Sequence, residues 1–106
     1  MYSKIVNDGY YSHRVFYDER LKYCPYGSAG VVKTSKGDIV LFSYSTRVIT
    51  INADGWLECY GTFSATTRKH IGAFMKEYTP FGYHTAKECY ERNQRINIWN
   101  GRIEKK

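Results

Sequence analysis

The segment 64–70 combines hydroxyl groups, permanent cations and a histidine at the start of a predicted helix. Backbone N–H groups at a helix start have no partner within the helix and attract anions, and neighbouring Arg and Lys side chains add charge-assisted hydrogen bonds. Cations there oppose the helix dipole, a cost that a bound phosphate would offset. The sequence therefore predicts an anion or partner site made of Ser64, Thr66, Thr67, Arg68 and Lys69. In the simpler interpretation, Ser64 and Thr67 only cap the helix and the two cations lie in solvent.

A second candidate lies near the N-terminus, where aromatic residues surround a histidine and an arginine, in the order Tyr10, Tyr11, His13, Arg14, Phe16 and Tyr17. Aromatic rings offer stacking surfaces to nucleobases, and cations between them contact phosphates. Tyr10, Tyr11 and Arg14 are therefore candidate partner contacts. The alternative is that alternate aromatics on a strand simply cover the sheet.

No arrangement of residues predicts a catalytic or metal site. Cys24, Cys59 and Cys89 are widely spaced without a CxxC pair, so neither a zinc site nor a Cys/His nucleophile has a supporting motif. Cys59 and Cys89 are more simply small buried hydrophobes, and His70 is a hydrogen-bonded structural residue at the edge of an apolar helix face. The acidic residues fall in turns or on solvated helix faces, and phosphate-binding glycine loops are absent. We predict a non-catalytic protein without metal or cofactor.

Composition narrows the class of partner. The 106-residue chain has a net charge of +6 and 11 tyrosines, a combination that suits a nucleic acid or a nucleoprotein, although Tyr is also common at protein interfaces. An apolar content of 42% and this length predict one globular domain spanning residues 1–106. An odd number of cysteines, no apolar leader after Met1 and no apolar run of about 18 residues predict a cytoplasmic protein without a membrane span.

Strand signals occupy the first part of the chain. Two β-branched runs flank Asp54-Gly55, which predicts an antiparallel hairpin over Arg47–Tyr60 with four residues on its core face, Ile49, Ile51, Leu57 and Cys59. The run Ile39–Phe42 is apolar on both faces and predicts a central buried strand. A strand signal at Gly30–Val32 leads through the turn cluster 35–38 to that run, and the stretch Tyr10–Tyr17 predicts a further strand.

Helix signals follow the strands. Apolar residues recur with helical spacing over Ala65–Tyr78, with Ser64 as the predicted N-cap and Thr66 as the alternative. Thr85 and Glu88 form a capping-box pattern that predicts a second helix from Thr85 to Gln94, before a short extended segment and a solvated, frayed tail. This order predicts an α+β fold: a small antiparallel sheet with a central β-hairpin, packed against two C-terminal helices.

Two short motifs carry a resemblance, Ser43-Tyr44-Ser45-Thr46 and Ser64-x-Thr66-Thr67-x-Lys69-His70-Ile71. The stretch that holds them resembles a domain of unknown function found in small proteins of phages, plasmids and conjugative elements of Gram-positive and gut bacteria. The resemblance implies a mobile-element accessory protein in a bacterial host cytoplasm.

Two functions are compatible with that context. One is a stoichiometric inhibitor of a nucleic-acid-targeting defence complex, of the anti-CRISPR type, whose partner is a host defence nuclease or nucleoprotein complex. The alternative is a small basic accessory or regulatory protein that binds nucleic acid directly. The positive charge argues against an inhibitor that imitates DNA, because such inhibitors are usually acidic.

Overall fold

The computed structural model describes residues 2–5, 14–17, 20–24, 29–62 and 64–106, with the backbone alone for the first two ranges. Its strands are β1 (Tyr2–Ile5), β2 (Arg14–Tyr17), β3 (Ala29–Lys33), β4 (Ile39–Ser43), β5 (Thr46–Ile51), β6 (Trp56–Cys59), β7 (Gln94–Asn97) and β8 (Ile103–Lys105), and its helices are α1 (Ala65–Tyr78) and α2 (Tyr83–Glu91). Strands β3 to β8 form one antiparallel sheet in chain order, and β1 pairs with β2 in a second sheet. This is the predicted α+β class.

The central hairpin is confirmed, because β5 and β6 are paired neighbours in the middle of the six-stranded sheet. Its predicted core residues are all buried: Ile49, Ile51, Leu57 and Cys59. Strand β4 is buried on both faces, as its continuous apolar run predicts. Leu41 joins the core beneath the helices, while Val40 and Phe42, on the opposite face by strand alternation, are fully buried too.

The turn of this hairpin depends on one residue that the sequence signals did not identify. Gly55 has a φ of +88°, as a turn glycine should, whereas Asp54 does not adopt positive φ. The side-chain carbonyl of Asn52 accepts hydrogen bonds from the backbone N–H groups of Asp54 at 2.9 Å and Trp56 at 3.0 Å. An Asx turn therefore holds the hairpin together from its first residue.

Helix α1 has the predicted bounds and the predicted cap. Ser64 is the N-cap in an extended conformation, and its hydroxyl accepts from the backbone N–H of Thr67 at 3.2 Å. The apolar face is buried through Ile71, Phe74 and Met75. Both the helical period and the capping residue were read correctly from the sequence, because both are local signals.

Helix α2 differs from its prediction at both ends. It begins at Tyr83, with Gly82 as an N-cap that offers no side chain, so the capping box predicted at Thr85 and Glu88 is wrong. Tyr83 packs against the core and draws the helix start toward the N-terminus. The helix ends at Glu91 rather than Gln94, since Asn93 takes a φ of +51°, the left-handed conformation that commonly terminates helices.

The C-terminal segment is also a correction, because the expected frayed tail is the sixth strand of the sheet. Strand β8 pairs with β7 through the register Arg95 to Glu104 and Ile96 to Ile103. The backbone N–H of Lys106 donates to the carbonyl of Asn93 at 3.0 Å. The two helices are therefore followed by two strands instead of ending the chain.

The helices pack on one face of the sheet. Helix α1 contacts β4, α2 contacts β6 and β7, and the two helices contact each other. Between them and the sheet lies one apolar cluster that includes Leu41, Ile49, Leu57, Ile71 and Phe74. Within the described ranges, no helix combines the length and the apolar character needed to cross a membrane.

Candidate functional site

The two sequence motifs lie far apart in the chain but meet in the fold. Ser43 closes strand β4, and its hydroxyl oxygen lies 2.8 Å from Nδ1 of His70 and 3.0 Å from the hydroxyl oxygen of Thr67, both on α1. The hydroxyl of Ser64 lies 3.3 Å from that of Thr67. These four residues, which we call the Ser43 cluster, connect the end of a buried strand to the first two turns of α1.

The Ser43 cluster confirms that His70 is a hydrogen-bonded structural residue. Ser43 is 2% exposed and His70 is 1% exposed, so their hydroxyl–imidazole pair, which would suit a nucleophile and its base at a surface, has no access to a substrate. Burial lowers the pKa of His70, which favours the neutral imidazole at neutral pH. The pair therefore acts as a fixed joint between sheet and helix.

The neutral, buried His70 makes the stability of the fold dependent on pH. Because its pKa is lower in the folded protein than its ordinary value of 6.5, the unfolded chain binds more protons in the acidic range. We expect the free energy of unfolding to be highest above pH 6.5 and to fall as pH decreases through the lowered pKa. Urea unfolding between pH 5 and 8 measures this, and His70→Gln should flatten the profile. His84→Gln, at an exposed position, is the control; coincident wild-type and His70→Gln profiles would contradict the assignment.

The Ser43 cluster lies directly beneath a strained turn. Tyr44 and Ser45 form the two-residue connection between β4 and β5, with φ values of +52° and +70°. Both positions of such a turn favour Asn or Gly, and bulky residues with positive φ are rare. The Tyr44 ring lies 6.0 Å from the His70 ring between centroids, yet the side chain is 52% exposed. The fold thus holds an aromatic side chain at the surface at some conformational cost.

The predicted cations lie on the same first two turns of α1 as Thr67 and His70, which contact Ser43. Arg68 and Lys69 are exposed, as are Ser64 and Thr66. Neither Arg68 nor Lys69 makes an ion pair within the described ranges, and the first turn of α1 contains no acidic residue. Thr67 differs from its neighbours because it is only 3% exposed, so it packs beneath the exposed residues of the helix start and does not belong to the surface itself.

The structure adds cation–aromatic contacts that sequence reasoning missed. Tyr60, which leaves β6 toward the helix start, has the guanidinium of Arg47 4.4 Å from its ring centroid and the ammonium of Lys106 5.2 Å away. Strand alternation puts Tyr60 on the face opposite Cys59, but the positions of its cationic neighbours depend on pairing across strands.

The N-terminal part of the prediction stays untested. Tyr10 and Tyr11 lie outside the described residues. The backbone of Arg14 begins strand β2, which covers the second half of the strand predicted over Tyr10–Tyr17, and its side chain lies outside the description.

Cys59 and Cys89 offer no reactive thiolate. A cleft of about 140 Å³ between α2 and the strands β7 and β8 is lined in part by Cys89. Burial raises the pKa of Cys89 to about 11 and also raises that of Cys59, so both thiols are protonated at neutral pH. Across the described ranges, no cluster of His, Cys, Asp and Glu side chains is arranged to hold a metal ion.

Comparison with known proteins gives a family without a function. The family model described as "Family of unknown function (DUF8033)" matches residues 14–93, more than half of the chain. The matched region runs from β2 to the end of α2 and contains both motifs of the candidate site. No curated protein and no solved structure matches the chain.

Proposed function

The chain belongs to the DUF8033 family, whose function is unknown, and we propose from its candidate site that it is a non-catalytic protein that binds nucleic acid, either free or within a nucleoprotein complex. The observation that carries this proposal is the combination of two cations that have no ion-pair partner among the described residues, Arg68 and Lys69, with an exposed Tyr44 on a turn that the Ser43 cluster holds in place.

Arg68 and Lys69 are suited to bind a phosphate group. They lie in the first turns of α1, where the dipole already supplies about half a positive charge and opposes further cations. A phosphate group would offset that repulsion and accept charge-assisted hydrogen bonds from both side chains. The formal net charge of +6 would add long-range attraction to a polyanion.

Tyr44 complements the cations. A rigid, exposed ring beside phosphate-binding cations can stack on a nucleobase, and such stacking depends little on base identity. The positive φ of Tyr44 supports this role, because a strained conformation at a surface turn is retained only where surrounding contacts enforce it. Here the buried Ser43–His70 contact provides that enforcement.

The chemistry of the buried groups supports a binding role over an enzymatic one. The Ser43–His70 pair is shielded from solvent, and the thiols of Cys59 and Cys89 are protonated. Within the described ranges, the groups best suited to catalysis are therefore used to hold the fold together.

The first test of the proposal is the double variant Arg68→Gln/Lys69→Gln. Loss of two charge-assisted contacts should weaken binding of a labelled oligonucleotide by about tenfold or more, measured by fluorescence anisotropy. The slope of log affinity against log salt should become shallower by about one to two units. Unfolding stability should not decrease, because two cations are removed from the positive end of the helix dipole.

Lys36→Gln/Lys87→Gln is the matched control, since it removes the same charge elsewhere. Lys36 lies in the turn between β3 and β4, at the opposite end of β4 from Tyr44, and Lys87 lies on α2. Equal losses of affinity in the two double variants would show that Arg68 and Lys69 contribute only non-specific electrostatic attraction. Unchanged affinity and salt slope in Arg68→Gln/Lys69→Gln would leave the two cations as a solvated helix face.

The motif resemblance supports a narrower form of the proposal, in which the protein acts in a bacterial cytoplasm as a mobile-element inhibitor of a nucleic-acid-targeting defence complex of the anti-CRISPR type. A basic inhibitor would contact guide RNA, the rim of a DNA-binding groove or an acidic protein surface rather than replace the DNA. Pull-down from a host lysate with and without nuclease treatment tests this form. A defence nuclease that stays bound after nucleic acids in the lysate have been digested supports inhibition. Loss of all captured protein after digestion supports the accessory nucleic-acid-binding alternative.

A further inference from the structure

The sheet face opposite the helices carries two aromatic rings, that of Trp56 at the start of β6 and that of Tyr60 directly after its end. Along β6, Leu57 and Cys59 enter the core, so Trp56, Glu58 and Tyr60 point to the other face. Trp56 and Tyr60 are only partly buried. We call this surface, made by β5 to β8, the outer face.

Cations from three neighbouring segments cover both rings. Arg95 of β7 lies 4.4 Å from the centroid of the Trp56 ring. The Tyr60 ring has the Arg47 guanidinium at 4.4 Å and the Lys106 ammonium at 5.2 Å. The cations thus come from β5, from β7 and from the residue after β8. Only the pairing of these strands brings them onto one face.

Two carboxylates hold two of these cations in position. Arg95 Nη2 lies 2.8 Å from a carboxylate oxygen of Glu104, and Lys106 Nζ lies 3.5 Å from one of Glu58. The side chains of these four residues are between 26% and 40% exposed. Arg95 and Lys106 are therefore held in position while part of each side chain stays exposed.

The outer face is joined to the candidate site of the proposed function by short stretches of chain. One residue, Thr46, separates Arg47 from the Tyr44–Ser45 turn. Tyr60 lies where the chain leaves β6 and continues to the N-cap Ser64. The chain therefore places a cation-covered ring next to the turn and the helix start.

We propose that the outer face stacks the bases of single-stranded nucleic acid; this inference rests on the proposed function. Aromatic rings and guanidinium planes both stack on bases, and the Arg95 guanidinium lies 4.4 Å from the centroid of the Trp56 ring. Unpaired bases expose their faces, whereas the bases of a duplex are already stacked and paired. A duplex would therefore gain the phosphate contacts alone.

Affinities for matched oligonucleotides test the strand preference. Wild type should bind a labelled single strand at least about fivefold more tightly than the duplex of the same sequence, which is the lower end of the effect of one stacked base. Trp56→Leu and Tyr60→Leu should each weaken single-strand binding by about fivefold or more and duplex binding by less than twofold. Thermal unfolding of each variant shows whether the fold is intact.

Tryptophan emission provides a second measurement that does not depend on either leucine variant folding. The chain has two tryptophans, so Trp99→Phe leaves Trp56 as the single reporter, and Trp56→Phe leaves Trp99. A single-stranded oligonucleotide should quench the emission of Trp56 in the first variant, because a base stacked on the outer face changes the surroundings of the indole. Trp99 emission in the second variant is the control and should change little.

The outcomes separate this inference from the proposed function. If wild type binds neither single strand nor duplex at low salt, the proposed function fails and this inference with it. If both are bound equally, or if quenching follows Trp99 while Trp56 is unaffected, the outer face is not the stacking surface. In that case the proposed function still stands, provided that Arg68→Gln/Lys69→Gln weakens binding.

Discussion

Phe74→Ala should cost about 3 to 5 kcal/mol of unfolding free energy, the largest effect we expect from a single substitution in this chain. Phe74 is fully buried in the core between α1 and the sheet, and its ring lies 4.9 Å from that of Tyr78 between centroids. Truncation removes the buried ring and leaves a cavity that the close-packed surroundings fill only in part. For a domain whose total stability is about 5 to 15 kcal/mol, this loss threatens the fold itself.

Thermal and urea unfolding measure the effect. The melting temperature should fall by about 15 to 25 °C in a domain of this size. Thr66→Ala, at an exposed position of the same helix, should change stability by less than about 0.5 kcal/mol. Similar melting temperatures for wild type and Phe74→Ala would mean that the buried face of α1 is assigned wrongly.

Ser43→Ala should destabilise the fold by about 1 to 3 kcal/mol, because it leaves two buried polar groups without their shared partner. His70 Nδ1 lies 2.8 Å and the Thr67 hydroxyl 3.0 Å from the Ser43 oxygen. The Tyr44–Ser45 turn follows Ser43 directly, so the same substitution should relax that turn. We therefore expect weaker oligonucleotide binding in Ser43→Ala, although Ser43 is buried and cannot touch a ligand.

A double-mutant cycle with His70→Leu identifies the hydrogen bond as the cause. The double variant should lose less stability than the sum of the two single variants, by about 0.5 to 3 kcal/mol, because each single change leaves the other group unpaired. Ser35→Ala, in the exposed turn before β4, serves as the serine control and should be close to neutral. Strict additivity of Ser43→Ala and His70→Leu would show that the two side chains are not coupled.

The elements read correctly from the sequence are those with a short-range physical cause. The repeat of apolar residues along Ala65–Tyr78 defined α1, since a helix buries one face every 3.6 residues, and Ser64 supplied a cap within its own turn. The hairpin at Gly55 followed from the need for positive φ between two β-branched runs. The site residues proposed at the start of α1 follow from the same local reasoning, and their role as an anion site stays a prediction.

The errors arose where a tertiary contact competed with a local signal. Thr85 and Glu88 have the spacing of a capping box, but packing of Tyr83 against the core starts α2 two residues earlier. The charged C-terminus has the composition of a frayed end, yet β7 offers it an unpaired strand edge, and the backbone hydrogen bonds of that edge make β8 a strand.

The sequence by itself determined the fold class, the extent of α1, the central hairpin and the cations at the helix start, because each depends on neighbouring residues. Only the tertiary structure decided that Ser43 contacts His70 and that Arg95, Arg47 and Lys106 cover the rings of one strand. Such contacts join residues on different elements, and their spacing in the chain carries no record of which strands pair or where a helix crosses the sheet. Strand order and helix placement follow from the burial of the whole core, and they alone bring the two motifs together.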